Sequence, residues 1–296
     1  MAAPTLRTRH APTLAPALFA VLLFCSRAAL AQAQEKDLDT PYVPTPQAVV
    51  DRMLDIAQVK AGDVVIDLGS GDGRIMITAA QRHGAQGFGV EIDPRLVQRS
   101  NEEARRLGIA DRVKFLRQDL FNTDFHEANV LTLYLLPDVN IALRPKILAE
   151  LKPGTRVVSH DYDMREWRPD AEQAIPAPDK KVGMRKESTV YLWIVPARVE
   201  GEWTFELSSG GKTRRTRLVL QQSFQFVSGT VELTGQGDVP VSHGRLRGEE
   251  LSLLLPPGAL DRGQVELVGR VKDGSLIGTV RKDDREVARW NAHRRN

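Results

Sequence analysis

The stretch Val64-Val65-Ile66-Asp67-Leu68-Gly69-Ser70-Gly71-Asp72-Gly73-Arg74 restricts what this chain can fold into more than any other part of it. An unbroken apolar, β-branched run reads as a strand buried on both faces. Three glycines at alternate positions follow it, and a helical pattern starts near Arg74. Glycine is required where backbone takes positive φ or passes close to a ligand, and such loops lie beyond the carboxyl ends of parallel strands, where α/β sheets bind ligands. The spacing is GxGxG; a dinucleotide fingerprint sets its third glycine one residue later, beside the helix that binds pyrophosphate. The acidic residue ahead of the glycines suits a ligand with a positive amino-acid end and no phosphate.

Around this loop, residues 46 to 196 alternate between helical and strand patterns. Val49, Val50, Met53, Leu54 and Ile56 make one helical face, and further helices are expected at Ile75–Arg82, Leu96–Leu107 and Val139–Leu151. Strands are expected at Asp63–Leu68, Gly87–Ile92, Val113–Gln118, Val130–Leu136 and Thr155–His160, with a last one, Ser188–Val195, after a Pro-rich, charged connection from Arg168 to Glu187. This alternation predicts a parallel sheet with helices on both faces. After Pro196 the pattern changes to short alternating runs, Thr204–Leu207, Arg217–Leu220, Ser228–Leu233, Leu251–Leu255, Val265–Val271 and Leu276–Val280, separated by Gly, Ser and Asp turns. That half predicts a small antiparallel β-barrel or sandwich. Gly269, Gly278 and the closing Trp290-Asn291-Ala292-His293-Arg294 resemble lipocalin-like or avidin-like barrels; barrels of that size hold a small ligand or are filled by their own side chains.

Charge narrows the partners. The balance of +3 comes from Arg7, Arg9 and Arg27; beyond residue 31 basic and acidic residues are equal, 38 of each. A chain that neutralises phosphates carries a basic surplus, so nucleic acid is not expected as a partner. Those three arginines belong to a leader pattern. Arg7, Arg9 and His10 precede the apolar run Leu14–Cys25, and Ala29-Leu30-Ala31 supplies small residues at alternate positions, which predicts a signal peptide cut after Ala31. The run falls short of the ~20 apolar residues of a spanning helix. The expected location is the periplasm or cell envelope, with membrane contact only through an uncleaved leader as the alternative. Cys25 is the only cysteine and lies in the leader, so the mature chain, 32–196 followed by 197–296, is expected to hold neither disulfide nor thiolate site. His243 and His293 are isolated, and no metal is expected.

Two more strand ends carry acids. Glu91 closes the second strand, where a carboxylate accepts from vicinal ribose hydroxyls, and Asp119 follows the third, placed to meet an adenine amino group. Asp67 to Gly73, Glu91 and Asp119 together resemble the first three motifs of class I S-adenosylmethionine-dependent methyltransferases. The resemblance covers about residues 41 to 196 and implies a Rossmann-like seven-stranded sheet with its last strand antiparallel. It further implies that the glycine loop holds the methionine end, Glu91 the ribose and Asp119 the adenine. A narrower resemblance, to small protein-lysine methyltransferases related to the mitochondrial enzyme acting on the c-subunit of ATP synthase, rests on Pro41-Tyr42-Val43-Pro44-Thr45-Pro46, Leu133-Tyr134-Leu135-Leu136-Pro137, and Arg156 to Asp161 followed by Trp167. It implies a lysine side chain of a protein as acceptor. The run Leu135-Leu136-Pro137-Asp138 lacks the Asn or Asp followed by paired prolines and an aromatic that amino-methylating DNA enzymes use.

The candidate cofactor residues are therefore Tyr42, Thr45, Asp67, Gly69, Gly71, Gly73, Glu91, Asp119 and Leu120, and the candidate catalytic residues Tyr134, His160 and Asp161. Tyr134 is expected to shape the methyl channel, His160 and Asp161 to orient or deprotonate an amine, and Trp167 to pack a loop over the site. Two other functions stand beside lysine methylation: an exported nucleoside-fold binding protein without activity, and a small-molecule methyltransferase.

Overall fold

The computed structural model describes residues 42–183, 185–260 and 263–295; the expected leader lies outside the described residues. Helix α1 (Gln47–Ile56) buries the predicted face Val49, Val50, Met53 and Leu54. Then follow β1 (Val64–Leu68), α2 (Arg74–His83), β2 (Gln86–Glu91), α3 (Pro94–Arg106), β3 (Val113–Arg117), β4 (Val130–Leu133), α4 (Pro137–Glu150) and β5 (Arg156–His160). Strand β4 stops three residues short of its expected end because Pro137 opens α4, and a proline both pre-sets the first helical turn and keeps the residue before it extended. Leu136 accordingly has φ −60° and ψ 152°.

The connection expected between residues 168 and 187 contains a strand, β6 (Ala171–Pro176), before β7 (Glu187–Ile194). Sheet order is β3-β2-β1-β4-β5-β7-β6, with β7 antiparallel to both its neighbours and the other pairs parallel. Side chains alternate between two cores. Val65, Val130 and Val158 meet α1, α2 and α3 on one face; Ile66, Leu68, Leu131, Leu133 and Val157 meet Val139, Leu143 and Ile147 of α4 on the other. Strand order reverses between β1 and β4, and the crevice of an open α/β sheet forms at the carboxyl ends beside such a reversal. Among the described residues no helix is long and apolar enough to cross a membrane.

The second half is a closed, eight-stranded antiparallel barrel. Its strands are β8 (Gly201–Ser209), β9 (Lys212–Ser223), β10 (Phe226–Leu233), β11 (Gly237–Pro240) with β12 (His243–Arg247), β13 (Glu250–Leu255), β14 (Val265–Lys272), β15 (Ser275–Lys282) and β16 (Arg285–Arg294). β11 and β12 share one position, each pairing with part of β10, and β16 pairs with β8 to close the circuit. Trp203, Phe205, Leu218, Leu220, Leu253, Leu267 and Trp290 fill the interior with their own side chains. Gly269 makes room for the largest of them: a Cβ there would come within 2.5 Å of the Trp290 indole.

Candidate active site

Asp67, next to last in β1, is 1% exposed. The Thr132 hydroxyl, beside it in the β1–β4 register, donates to Oδ1 at 2.7 Å, while Oδ2 is buried with no hydrogen-bond partner. Burial raises the carboxyl to about 7, with Glu91 and Asp72 adding to the rise and Thr132 opposing it. A buried carboxylate with one oxygen unclaimed fits a ligand that brings a positive charge.

The loop beyond it curls through three left-handed glycines, Gly69, Gly71 and Gly73 at φ 75°, 53° and 79°. Gly71 carries the tightest requirement toward the site, since a Cβ there would sit 2.7 Å from the Tyr42 ring. Glu91 fastens the loop: Oε2 accepts from the Gly71 amide at 3.0 Å, and Oε1 from those of Ile92 and Asp93 at 2.8 and 3.0 Å. Asp119 is exposed and caps the short 3₁₀ turn at Leu120–Asn122, accepting from the Phe121 amide at 2.8 Å. Leu120, half-buried, packs against the α4-side core.

The Pro-rich segment before α1 lies across this loop. Arg74 donates to the Thr45 carbonyl at 2.7 Å and grips Asp72 through Nε and Nη2. Burial opposes ionisation of Asp72, but its bonds to Arg74 and Tyr42 win and hold the carboxyl below its usual range. Tyr42 is thereby tied to the loop it covers, its own hydroxyl pushed up by burial and by Asp72.

On the other side of the reversal stand Tyr134 and the end of β5. The His160 ring is wholly buried and stacks on Tyr134 at 3.9 Å between centroids. Its Nδ1 lies 3.4 Å from Thr45 Oγ1 and its Nε2 2.9 Å from Ser188 Oγ. Burial lowers its pKa to about 4, Lys180 adding to the effect against Asp161, so the ring is neutral. Asp161, at φ 62°, accepts from Lys180 at 2.7 Å and from the Thr189 amide at 3.0 Å, and its Oδ2 lies 3.4 Å from His160 Nε2. Tyr134 is half-buried, its hydroxyl pushed up to about 12 by burial and by Asp161. Tyr162 stacks beyond it at 6.3 Å.

The structure thus gathers Tyr42, Thr45, the three glycines, Asp67, Glu91, Tyr134 and His160 at one end of the sheet. His160 is buried beneath the Tyr134 ring, and Asp161 is held by Lys180 and the Thr189 amide. Trp167 packs the connection 161–170 from within, buried against Trp193 and Phe224, 5.9 and 6.1 Å away. Thr132, Ser188 and Tyr162 were not among the expected residues. Thr132 alone had a signal, since strand order β1-β4 sets it beside Asp67.

The sequence profile of the ANTKMT methyltransferase domain matches residues 67–171. A protein-lysine N-methyltransferase of Saccharolobus islandicus is 43% identical over 156 residues, covering 52% of this chain and 93% of that protein. The chain belongs to the S-adenosylmethionine-dependent protein-lysine N-methyltransferase family. A lysine N-methyltransferase of Xenopus laevis that acts on the c-subunit of ATP synthase is 33% identical over 46% of this chain, which spans 59% of that protein's length. A crystal structure of an RNA methyltransferase from Salinibacter ruber, in complex with S-adenosyl-L-homocysteine, is 51% identical, covering 53% of this chain and 96% of that one, at a TM-score of 0.49. For a member of this family, the cofactor is S-adenosylmethionine, and the unpartnered Asp67 oxygen fits its ammonium. Membership favours an active enzyme over a binding protein that has lost activity.

Proposed function

We propose that this methyltransferase acts on the ε-amine of a lysine in a protein. The observation that carries the acceptor is the 43% identity to the archaeal protein-lysine N-methyltransferase over nearly its whole length. In this reading Asp67 Oδ2 receives the cofactor's ammonium, the Gly69–Gly73 loop lies along its methionine end, Glu91 meets the ribose, and Asp119 with Leu120 borders the adenine. Tyr42 and Thr45 close over it.

When bound, the cofactor supplies a methyl group on a sulfonium, already activated for displacement. The protein's task is alignment and exclusion of water, and proximity of that kind is worth ~7–11 kcal/mol. Tyr134 stays protonated at neutral pH, so its phenol is no base; its oxygen accepts an amine N–H and so turns the nitrogen lone pair toward the cofactor. A free lysine amine has a pKa of about 10.4. With His160 sealed and Asp161 engaged, desolvation against the Tyr134 and Tyr162 rings is what favours the neutral nucleophile.

Incubating full-length protein with methyl-labelled S-adenosylmethionine, total cell protein, RNA and extracted metabolites in separate reactions tests the acceptor. The label is expected in methyl-lysine after acid hydrolysis of the protein fraction. Label in RNA or metabolites alone would overturn this reading.

We also propose that the chain works outside the cytoplasm. The leader pattern of residues 1–31 supports this. N-terminal mass spectrometry of fractionated cells should find a chain beginning at Gln32 in the envelope fraction; an intact Met1 in the cytosol contradicts it.

A further inference from the structure

The turn between β9 and β10 breaks the chemistry of a two-residue hairpin turn. Such turns favour Asn-Gly, Asp-Gly or Gly-X, because central residues lie at positive φ. Here the turn is Phe224-Gln225, with Phe224 at φ 54°, a strained conformation for a bulky side chain. Departures from local sequence rules concentrate at functional sites.

Both side chains reach the methyltransferase half. The Phe224 ring stacks on Trp167, 6.1 Å between centroids and 12° between planes, with the Arg144 guanidinium 5.5 Å from its centroid. Gln225 is wholly buried, and its Nε2 donates to the Arg168 carbonyl at 2.6 Å. Arg245 of β12 adds an ion pair to Asp170 at 2.8 Å, and the other Asp170 oxygen accepts from the Ile194 amide. Arg144 of α4 donates to the Met164 carbonyl at 2.7 Å.

Trp167, Arg168, Asp170 and Met164 all belong to the ten-residue connection 161–170 between β5 and β6. Besides the Met164–Trp167 bridge, this connection has no regular structure of its own, and it departs into left-handed backbone at Asp161 and Arg165. It also carries Tyr162, whose carbonyl is held by Ser159 and Asn140 and whose ring stands against Tyr134. The barrel therefore grips the one segment that places the outer aromatic of the acceptor side.

We propose that the Phe224–Gln225 turn is a positioning element of the acceptor half of the active site. Through Trp167 and Arg168 the barrel fixes the connection 161–170 and with it Tyr162 against Tyr134, leaving the cofactor half untouched. This rests on Tyr134 and Tyr162 facing a lysine acceptor, as proposed above. Neither Phe224 nor Gln225 touches the acceptor; they act through the connection.

The variant F224N/Q225G separates this role from simple closure of the hairpin. It gives the barrel a turn of the favoured type and removes both the ring stack and the bond to Arg168. In the full-length protein, amides of residues 162–168 are expected to exchange with deuterium at least tenfold faster, with residues 64–74 unchanged. S-adenosylhomocysteine affinity should stay within twofold, while kcat/KM for methyl transfer to poly-L-lysine falls at least tenfold. Phe224→Tyr, which keeps a ring on Trp167, should retain most of the wild-type value. Unchanged exchange over 162–168, unchanged kcat/KM, or a loss of S-adenosylhomocysteine affinity equal to the loss of rate would each overturn the proposal. Should the double variant fail to fold, Gln225→Leu provides the same exchange test at residues 166–168, with at least a threefold increase expected and no change contradicting it. A wild-type protein inactive on poly-L-lysine would count against the lysine acceptor, and the exchange measurement would then decide the positioning role alone.

Discussion

The ring of Tyr134 lies face to face with that of His160, 3.9 Å between centroids, and the imidazole beneath is sealed from solvent. His160 is thus a support for the half-buried Tyr134 phenol. Its effect on stability has a definite sign. A folded-state pKa of about 4, below the usual 6.5, means that the unfolded chain binds a proton the folded chain does not. Stability from this group is complete above about pH 6.5 and is lost toward pH 4, with a slope of at most ~1.4 kcal/mol per pH unit. Asp67 acts oppositely: its pKa is raised from 3.8 to about 7, so the folded chain holds the extra proton and stability falls as pH rises through that window. The two nearly offset each other in the wild type. Urea unfolding at about pH 5 and pH 7 should show His160→Gln relatively more stable at the lower pH than wild type, and Asp67→Asn relatively more stable at the higher. The same pH difference in all three proteins would refute both assignments.

Asp67 should also couple cofactor binding to pH. An ammonium selects the ionised carboxyl, so affinity should rise as pH passes through about 7. Calorimetric titration with S-adenosylhomocysteine at about pH 6 and pH 8 is expected to show that rise in the wild type. Asp67→Asn should bind ~100-fold more weakly, which is ~2.7 kcal/mol, and should show only the ligand's own titration. Glu91→Gln is the safer partner test, because Glu91→Ala would also release the Gly71, Ile92 and Asp93 amides.

Much of this site was legible before the structure, for a physical reason. Strands β1, β4 and β5 are buried on both faces, so their sequences are largely apolar runs whose ends can be located, and the strand-end rule then picks out Asp67. Strand β6 was missed because it lies at the sheet edge: Glu172, Gln173 and Ala174 are all exposed, so no apolar pattern marks it. Half of β9 was missed likewise, since Lys212, Thr213, Arg214 and Arg215 are exposed on a long hairpin. The partners of His160 were not legible, because sequence cannot show that Ser188 and Thr45 would lie against its two nitrogens. Phe224 and Gln225 escaped altogether, since nothing in a Phe-Gln pair announces a hairpin turn.

The contact between Tyr42 and Gly71 separates strap from backbone. Gly71→Ala adds a Cβ 2.7 Å from the Tyr42 ring and puts a side chain at φ 53°. The backbone part costs ~1–2 kcal/mol whatever covers it. Cofactor affinity should fall at least tenfold. In Gly71→Ala/Tyr42→Ala the ring is gone, so the added loss from Gly71→Ala should be smaller than in the wild-type background. Equal losses in both backgrounds, measured by the same titration, would mean that Tyr42 does not press on the loop.

In the barrel the corresponding pair is Gly269 and Trp290. The indole packs on Phe205 at 5.6 Å between centroids, donates from Nε1 to the Thr279 carbonyl at 3.0 Å, and fills the space a Cβ at 269 would need. Trp290→Ala should cost ~3–5 kcal/mol by opening a cavity, and Gly269→Ala ~1–3 kcal/mol by overpacking. The two residues contact each other, so their effects should not add: in Gly269→Ala/Trp290→Ala the new methyl enters vacated space, and the double variant should be at least ~1 kcal/mol more stable than the sum of the single losses implies. Because the Ile277 carbonyl lies 2.9 Å from the same Cβ position, part of the Gly269→Ala cost should survive removal of the indole. Denaturant midpoints followed by far-ultraviolet circular dichroism, with Trp290→Phe as a ring-keeping control, give the four corners of this cycle. Strict additivity would show that another neighbour, and not Trp290, is what requires glycine at 269.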